Sequence, residues 1–418
     1  MKPYEIEKYI IWDIIGIVLF KIILDYAYTS FVSPYFDYMG LTLDFNIIKY
    51  CEGWIVYLVL FLLLSRHKDH VLFMTLLISF LLLIAPTVTL YAFKNEPSSF
   101  FYSMMIPYGG MLLIISTKRI NIYYLQYGKQ IAIGFSLLMV SIVFIHYLTT
   151  VGFGHINFNL YKEYELRSSV YGLASNSGLF GYFNSWVTQV FNIFLISISL
   201  LYRKYLFIFL SIFIQILFFG FSGHKAVFFS LILIIGLYIF SQVKHYSTII
   251  IYSMLGSIIL LLFYFYIFQE LLLPSILIRR AFFVPANLNY VYLDYFSSHD
   301  YIYWSNSILK YIFTYPYEVS PVFVIGEYLG DSTLAANTGV FGSGYMHLGT
   351  FGIILYLLIV AMLINFIQQF NKLPNWIINS IVLMPILTIF ISSDLPTALL
   401  THGTIVGILI LYFYSTPK

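Results

Sequence analysis

Long apolar runs follow one another along the whole chain and are separated by short polar segments. A helix needs about 20 mostly apolar residues to cross a membrane, where its backbone polar groups must pair within the helix. The pattern therefore predicts an all-α polytopic membrane protein with about 12 transmembrane helices. The predicted spans are 9–28, 47–64, 71–92, 100–116, 130–152, 180–202, 205–222, 226–242, 247–271, 348–370, 376–392 and 397–414.

The composition strengthens this prediction and excludes several classes of protein. Of the 418 residues, 61% are hydrophobic and only 9% are charged, whereas an average soluble chain is about 25% charged. A soluble enzyme, a disordered chain and a nucleic-acid-binding domain all need more polar residues than this chain has. Because the apolar runs extend from end to end, residues 1–418 are predicted to form a single integral membrane domain.

Lysine and arginine residues are unevenly distributed between alternate connecting segments. If the N-terminus is cytoplasmic, the cytoplasmic segments are short and rich in Lys/Arg pairs, and the opposite side holds most of the acids. This bias predicts a multi-pass protein with both termini in the cytoplasm. The first apolar run contains Asp13, Lys21 and Asp25 and has no small-residue cleavage site after it, which favours a transmembrane helix over a signal peptide.

Two external segments, 153–179 and 272–347, are much longer than the others. Long structureless loops are uncommon unless they have a function, so function is expected at the external face. The second loop is rich in aromatic residues, which suit the membrane–water interface. It is predicted to form short helices on the outer leaflet, one of them beginning at Pro285. Five glycines near its end predict tight turns or close backbone approach: Gly339, Gly342, Gly344, Gly349 and Gly352.

Arg279 and Arg280 are adjacent and lie just after the ninth span, on the side that the positive-inside bias disfavours. Guanidinium groups bind phosphate through paired hydrogen bonds, so the two arginines are candidates for a phosphate site. The alternative interpretation is that they contact lipid headgroups or form ion pairs with Asp294 or Asp300.

Two further external cations also have structural alternatives. Arg167 lies near Glu163 and Glu165, and both carboxylates are able to pair with it. Lys225 lies in the tight turn between the seventh and eighth spans, where a lysine is either functional or extends to the headgroups.

The remaining chemistry-bearing residues give few specific patterns. Lys21 and Asp25 are four residues apart and are predicted to pair on one helix face. The single cysteine, Cys51, excludes an internal disulfide and a cysteine-based metal site. No two histidines have the i, i+4 metal-ligand spacing with a carboxylate between them, and no nucleotide-binding motif is present. His347, beside the glycine-rich stretch, is the best histidine candidate for catalysis.

Three stretches carry a resemblance to a known family: FGFSGHKAVFFSLILI (219–234), RRAFFVPANLNYVYLDYF (279–296) and ANTGVFGSGYMHLGTFGIILY (336–356). Together with about a dozen spans and one late external loop, they resemble the bacterial O-antigen polymerases, the Wzy-type enzymes that join oligosaccharide repeat units. The resemblance covers the chain from about residue 130 onward. An Arg-x10-Gly spacing found in some members occurs from Arg167 to Gly178, but the companion Arg-x15-Gly spacing does not follow Arg279 or Arg280.

The resemblance implies a lipid-carrier glycosyltransferase of GT-C-like architecture in the bacterial inner membrane, without metal or other cofactor. A growing glycan would move from undecaprenyl diphosphate to the non-reducing end of a repeat unit on the same carrier. The implied partners are this undecaprenyl-diphosphate-linked oligosaccharide, membrane lipids and a chain-length regulator protein, with no nucleic acid.

This reaction needs positive charge for the leaving diphosphate, a base for the acceptor hydroxyl and aromatic surfaces for the sugars. The catalytic candidates are Arg280, His347 and Asp294, with His299 and Glu327 as other choices of base. The substrate-binding candidates are Arg167, Lys225, Arg279, Tyr290, Tyr295 and Asn337.

Three alternative functions fit parts of the same pattern. An O-antigen ligase shares the late external loop and differs in its acceptor. A lipid-linked oligosaccharide flippase has a similar number of spans, but transporters are often built from two repeated halves, which this sequence does not show. A non-catalytic membrane scaffold is the third alternative, but such a protein would have no need for arginines on the external side.

Overall fold

The computed structural model describes residues 3–118, 125–158, 178–243, 245–370 and 372–415. Within these ranges every regular element is a helix. In chain order the helices are α1 Pro3–Ala27, α2 Ile47–Ser65, α3 Phe73–Phe93, α4 Ser98–Ile114, α5 Gly128–Thr150, α6 Gly178–Leu201, α7 Tyr205–Ser222, α8 Lys225–Ser241, α9 Tyr246–Phe268, α10 Val284–Ser298, α11 Pro321–Tyr328, α12 Val340–Ile367, α13 Asn375–Ile391, α14 Leu395–Leu400 and α15 Thr404–Tyr414.

Nine helical stretches in the described ranges are long and apolar enough to cross a membrane. They confirm an all-α polytopic membrane protein. The other three predicted spans coincide with the shorter apolar helices α4, α8 and α13. A helix of 17 residues is about 25 Å long, slightly less than the thickness of a bilayer core. The number of membrane crossings therefore depends on whether each of these three helices spans the bilayer.

The chain forms two compact units. Unit 1 contains Met1–Thr117, Lys244–Phe366 and Ile389–Leu395, and unit 2 contains Lys118–Val243, Ile367–Thr388 and Pro396–Lys418. Unit 1 therefore holds the whole of the long segment 272–347, and the candidate residues of that segment share one packed body.

Buried charges connect the helices of unit 1. The predicted pair of Lys21 and Asp25 is confirmed, since their side chains form a buried ion pair. The hydroxyl of Thr89 on α3 donates to Asp25 at 2.8 Å. The Lys21 ammonium lies 5.4 Å from the centre of the Trp54 ring on α2. Because these partners lie on three helices, the pair stabilises the packing of α1, α2 and α3.

A second buried acid, Asp13, joins α1 to α9. It forms an ion pair with Lys68 at 2.6 Å. It also accepts hydrogen bonds from the hydroxyls of Ser247 and Thr248, at 2.9 and 2.6 Å. A charge that costs free energy to bury is thereby satisfied by three donors.

In unit 2, neutral polar side chains rather than charges connect neighbouring helices. The Asn192 amide on α6 donates to Gln215 on α7 at 2.7 Å. The Gln215 amide in turn donates to the carbonyl of Thr188 at 2.9 Å and to the hydroxyl of Ser230 on α8 at 3.1 Å. Hydrogen bonds of this kind stabilise helix association where apolar contact gives little specificity.

The long segment 272–347 is helical at both ends. Helix α10 begins at Val284, one residue before the predicted start at Pro285, and it continues directly from a π-helical stretch, Ser275–Phe283. At the other end, α12 begins at Val340, eight residues before the predicted span. The structureless part of the segment is therefore shorter than the sequence predicted.

Helix α10 is buried inside unit 1, whereas the sequence predicted a helix lying on the outer leaflet. Every residue from 286 to 293 is buried. The Tyr290 hydroxyl donates to the carbonyl of Thr87 on α3 at 3.1 Å. A helix that lies on a surface needs a charged or strongly polar face, and the sequence ANLNYVYL has none. Its two asparagines accept hydrogen bonds within unit 1, from Lys94 to Asn287 at 2.8 Å and from Thr338 to Asn289 at 3.0 Å, which makes their burial possible.

Candidate functional site

A cleft of about 440 Å³ opens in the segment between α10 and α11. Three tyrosines, two glutamates and two valines line it: Tyr295, Tyr317, Glu318, Val319, Val324, Glu327 and Tyr328. We call it the tyrosine–carboxylate cleft. Its volume lies in the range of small-molecule sites, and its lining combines aromatic surface with a few polar groups, as such sites do.

Two helix ends and the loop between them build the cleft. Tyr295 lies in the last turn of α10, and Glu327 and Tyr328 end α11. Helix α11 begins after Ser320 with Pro321 at its first position, where the missing N–H of proline costs no hydrogen bond. A hydrophobic cluster holds these elements together beneath the cleft: Leu288, Val291, Tyr292, Phe296, Ile302, Ile325, Ala336 and Met346.

The tyrosine rings pack around Tyr295. The centre of its ring lies 5.2 Å from that of Tyr328 and 6.2 Å from that of Tyr317. His299 stacks on Tyr295 with ring centres 3.9 Å apart and planes within 5°. The imidazole covers one face of the Tyr295 ring and fixes its orientation, so the cleft is preorganised in the protein alone.

Asp294, a predicted catalytic residue, lies beside the cleft. Its carboxylate accepts a hydrogen bond from the Tyr328 hydroxyl at 2.8 Å. This hydrogen bond raises the pKa of Tyr328, and burial adds to the effect. Burial also raises the pKa values of Tyr295 and Tyr317. All three phenols therefore keep their protons at neutral pH.

His347 lies in a different place, at the centre of a buried hydrogen-bonded group that we call the histidine network. The side chain is 0% exposed. Its Nδ1 accepts from the backbone N–H of Trp304 at 3.0 Å, and its Nε2 lies 3.2 Å from an oxygen of Asp394. Because Nδ1 accepts, Nε2 carries the proton and donates to Asp394. Both ring nitrogens are therefore occupied within the protein.

Trp304 and Tyr356 complete the histidine network. The Trp304 indole stacks on the His347 ring with centres 4.7 Å apart and donates to the Tyr356 hydroxyl at 2.7 Å. The Tyr356 hydroxyl donates to Asp394 at 2.6 Å. Trp304 has φ +56°, a left-handed conformation that is unfavourable for a bulky residue. The network offsets this local strain and ties the loop to α12.

Helix α12 is broken immediately after His347. Leu348 and Gly349 have non-helical dihedral angles, and Gly349 has φ +59° and ψ −146°. On the two sides of the break, Gly344 and Gly352 approach so closely that a Cβ on Gly352 would lie 1.9 Å from the Gly344 carbonyl oxygen. The prediction of tight turns and close backbone approach in this glycine-rich stretch is confirmed.

The two arginines occupy different environments. The Arg279 Nε donates to the Ser275 hydroxyl at 2.8 Å, and the guanidinium lies 4.6 Å from the centre of the Phe36 ring. Arg280 is exposed and forms no hydrogen bond or ion pair within the described part of the chain. No ion pair joins either arginine to Asp294 or Asp300 within the described residues, whereas contact with lipid headgroups stays a prediction.

Arg280 and Asp294 lie near opposite ends of one continuous helical run, Ser275–Ser298. At a rise of about 1.5 Å per residue, 14 residues separate them by about 20 Å. The structure therefore brings Asp294 and Tyr295 together at the cleft and keeps them apart from Arg280.

The other predicted residues have simpler surroundings. Tyr290 is buried, with its hydroxyl bonded to α3, and contributes to packing. Asn337 is exposed, and its amide donates weakly to the Ala335 carbonyl at 3.4 Å. Arg167 lies outside the described residues, and Lys225 begins α8 with a side chain that is likewise not described.

Several residues of these two sites were not identified from the sequence. Asp394 is 47 positions from His347, and only the fold brings them together. Tyr317 and Tyr328 belong to the segment 272–347, in which tyrosines are so frequent that no single one stands out, and Glu318 follows Tyr317 directly. One local pattern could have pointed to this site. In the run Tyr315-Pro-Tyr-Glu a proline separates two aromatic residues, and a carboxylate follows directly.

Comparison with known proteins adds no relative: no family model, curated protein or solved structure matches this chain significantly.

Proposed function

We propose that this protein is a glycosyltransferase that polymerises undecaprenyl-diphosphate-linked oligosaccharide units at the outer face of the bacterial inner membrane. In this proposal the chain crosses the membrane twelve times, counting α4, α8 and α13, and has both termini in the cytoplasm. The observation that carries the proposal is the tyrosine–carboxylate cleft, which lies in the aromatic segment 272–347. The three sequence stretches that resemble O-antigen polymerases support it.

The chemistry of the cleft suits a saccharide. Aromatic rings offer flat apolar faces, and the tyrosine hydroxyls and glutamate carboxylates offer hydrogen-bond acceptors for sugar hydroxyls. Stacking of His299 on Tyr295 holds one of these faces in place. Preorganisation of this kind lowers the free-energy cost of binding a flexible ligand.

The diphosphate belongs elsewhere, because the cleft is acidic. Glu318 and Glu327 line it, and Asp294 lies next to it. Arg280, exposed and about 20 Å away along the helical run, has the charge that a diphosphate needs. We assign the carrier diphosphate to Arg280 and the sugar units farther along the glycan to the cleft.

The transfer step follows from this assignment. The bond between C1 of the donor glycan and the diphosphate oxygen breaks, and C1 forms a bond to the acceptor hydroxyl oxygen. The hydroxyl proton passes to a base, and undecaprenyl diphosphate leaves with its charge stabilised by the guanidinium of Arg280.

Two predicted catalytic residues take other roles in this proposal. Asp294 lies too far from Arg280 to act on the same bond, so it orients Tyr328 in the cleft. His347 is buried with both nitrogens bonded, so it positions Trp304 and α12. Both become binding or positioning residues.

Purified protein in nanodiscs, supplied with undecaprenyl-diphosphate-linked repeat units, tests the proposal. The wild type should give a ladder of polymer, whereas the double variant Tyr295→Ala/Tyr328→Ala should give little or none. Arg66→Ala, which removes an exposed arginine in the turn after α2, is the matched control and should polymerise normally. Normal ladders from the tyrosine variant would contradict the role of the cleft. Translocation of the lipid without polymer would favour the flippase alternative.

A further inference from the structure

We infer that the tyrosine–carboxylate cleft selects saccharides by charge, binding neutral and amino-bearing sugars and excluding acidic ones. The inference rests on the proposed function, because it takes the cleft to be a saccharide site. It goes further by naming the class of sugar that the cleft accepts, which the sequence did not reveal.

The directions of the hydrogen bonds around the cleft show what it offers to a ligand. The Tyr317 hydroxyl donates to the carbonyl of Asp300 at 2.7 Å, and the Tyr328 hydroxyl donates to Asp294 at 2.8 Å. Each hydroxyl has a single proton, so neither Tyr317 nor Tyr328 has a donor left for a ligand, and the third phenol, Tyr295, hydrogen-bonds with Tyr317. The carboxylates of Glu318 and Glu327 are acceptors. The cleft therefore favours ligands that are rich in donors.

The charges of the lining residues add a second preference, against negatively charged ligands. Glu318 and Glu327 are exposed carboxylates in the lining, and none of the described lining residues is a lysine or arginine. A sugar carboxylate in the cleft would lie near two like charges with no cation to offset them. Repulsion between like charges a few ångströms apart weakens binding by about tenfold or more, even near a protein surface.

An ammonium group on a sugar would be attracted by the cleft rather than repelled. The carboxylates attract it, and the faces of the tyrosine rings add cation–π attraction. A metal ion is a poorer occupant, because the described residues contain no group of three or more His, Cys, Asp or Glu that could hold one. The donors of a sugar ring and its amino group fit both the acceptors and the aromatic surface.

The test compares three trisaccharides that differ in charge: the trimers of glucosamine, N-acetylglucosamine and galacturonic acid. Binding to the full chain in nanodiscs of neutral lipid is measured by calorimetry at mildly acidic pH, where the amines are protonated. We expect the glucosamine trimer to bind most tightly and the galacturonic acid trimer at least about tenfold more weakly. Added salt should reduce this difference, because the carboxylates are exposed.

Variants separate the effect of charge from binding itself. The double variant Glu318→Gln/Glu327→Gln should still bind the N-acetylglucosamine trimer but should lose most of the discrimination. Asp69→Asn removes an exposed carboxylate from the turn between α2 and α3, is the matched control, and should discriminate like the wild type.

If none of the trimers binds, the saccharide site and this inference are both wrong. If the neutral trimer binds but the three affinities are equal, or the acidic trimer binds best, the inference is wrong and the proposed saccharide site stands. If free ethanolamine or choline binds as tightly as the glucosamine trimer, the cleft recognises an ammonium headgroup instead, and the inference is wrong.

Discussion

At the scale of single residues, the adjacent side chains of Arg279 and Arg280 have very different contacts within the protein. Arg279 is held by Ser275 and by the Phe36 ring, whereas Arg280 is exposed. The difference follows from their positions on the π-helical stretch, because consecutive residues on a helix point in different directions. Of the two, Arg280 is the one that forms no hydrogen bond or ion pair within the described ranges, so it can contact a ligand without first losing such a contact there.

Replacing Arg280 with alanine should therefore reduce polymer formation strongly while leaving the amount of protein in the membrane unchanged. Loss of one group that stabilises a leaving charge typically lowers a rate by about 10²- to 10³-fold. Rates of polymerisation in nanodiscs measure the effect, and Arg66→Ala serves as the control. A rate for Arg280→Ala within twofold of the wild type would remove the arginine from the site.

The buried His70 gives the fold a predictable pH dependence. Burial, helped by the nearby His67, lowers the pKa of His70 to about 4, whereas an unfolded histidine has a pKa of about 6.5. Between these values the unfolded chain binds the extra proton and the folded one does not. Stability should therefore fall as the pH drops from about 6.5 towards 4, by up to about 1.4 kcal/mol per pH unit.

Melting temperatures in detergent at several pH values test this prediction. His70→Gln should flatten the pH profile in this window. An unaltered slope in His70→Gln would show that other groups cause the acid sensitivity.

Residues whose partners are close in sequence were predictable, and those with distant partners were not. The Lys21–Asp25 pair follows from a spacing of four on one helix. The contact of His347 with Asp394 depends on how α12 and the turn after α13 meet within unit 1, which no local pattern encodes.

At the scale of elements, the break in α12 positions both His347 and the loop that contacts it. Gly349 has a backbone conformation that other residues rarely adopt, and its missing Cβ leaves room for Tyr301. The Ile302 N–H donates to the Met346 carbonyl at 2.9 Å, just before the break. The break therefore fixes the loop that leads to the cleft.

Gly349→Ala should destabilise the protein by about 1–3 kcal/mol, because it adds backbone strain at a positive φ. The new Cβ would also lie 2.8 Å from the Tyr301 hydroxyl. Gly110→Ala, in α4, is the control, since no atom lies within 4 Å of the added methyl group. That control should be neutral or slightly stabilising. Equal melting temperatures for the two variants would contradict the account of the break.

Hydropathy was sufficient to predict where the long helices lie, because bilayer thickness and backbone pairing leave few alternatives. It was not sufficient for α10. Burial of this helix depends on contacts with α3, such as the hydrogen bond from Tyr290 to the Thr87 carbonyl, which only the assembled helices provide.

At the scale of the whole molecule, the proposal requires the segment 272–347 to face the outside. Cysteine labelling tests this in the background Cys51→Ser, which lacks other thiols. In intact spheroplasts a membrane-impermeant maleimide should label Tyr311→Cys, at a side chain that is 89% exposed. It should label Asp69→Cys only after permeabilisation. The reverse pattern would contradict the orientation.

The sequence predicted that the candidate cations and tyrosines share one face but could not give the distances between them. An ion pair between Arg280 and Asp294 was one interpretation, because both were predicted to lie in the same external loop. A continuous helical run holds them apart, since π-helical and α-helical turns join at Val284 without a break.

The lipopolysaccharide of a strain lacking this gene, with and without the native gene restored, tests the central claim most directly. On a gel, the account predicts that the deletion strain keeps lipopolysaccharide capped with a single repeat unit, and that the native gene restores the ladder. Long chains that persist in the deletion strain would contradict polymerisation by this protein. Loss of all surface glycan would contradict it equally, and would indicate a flippase or a ligase.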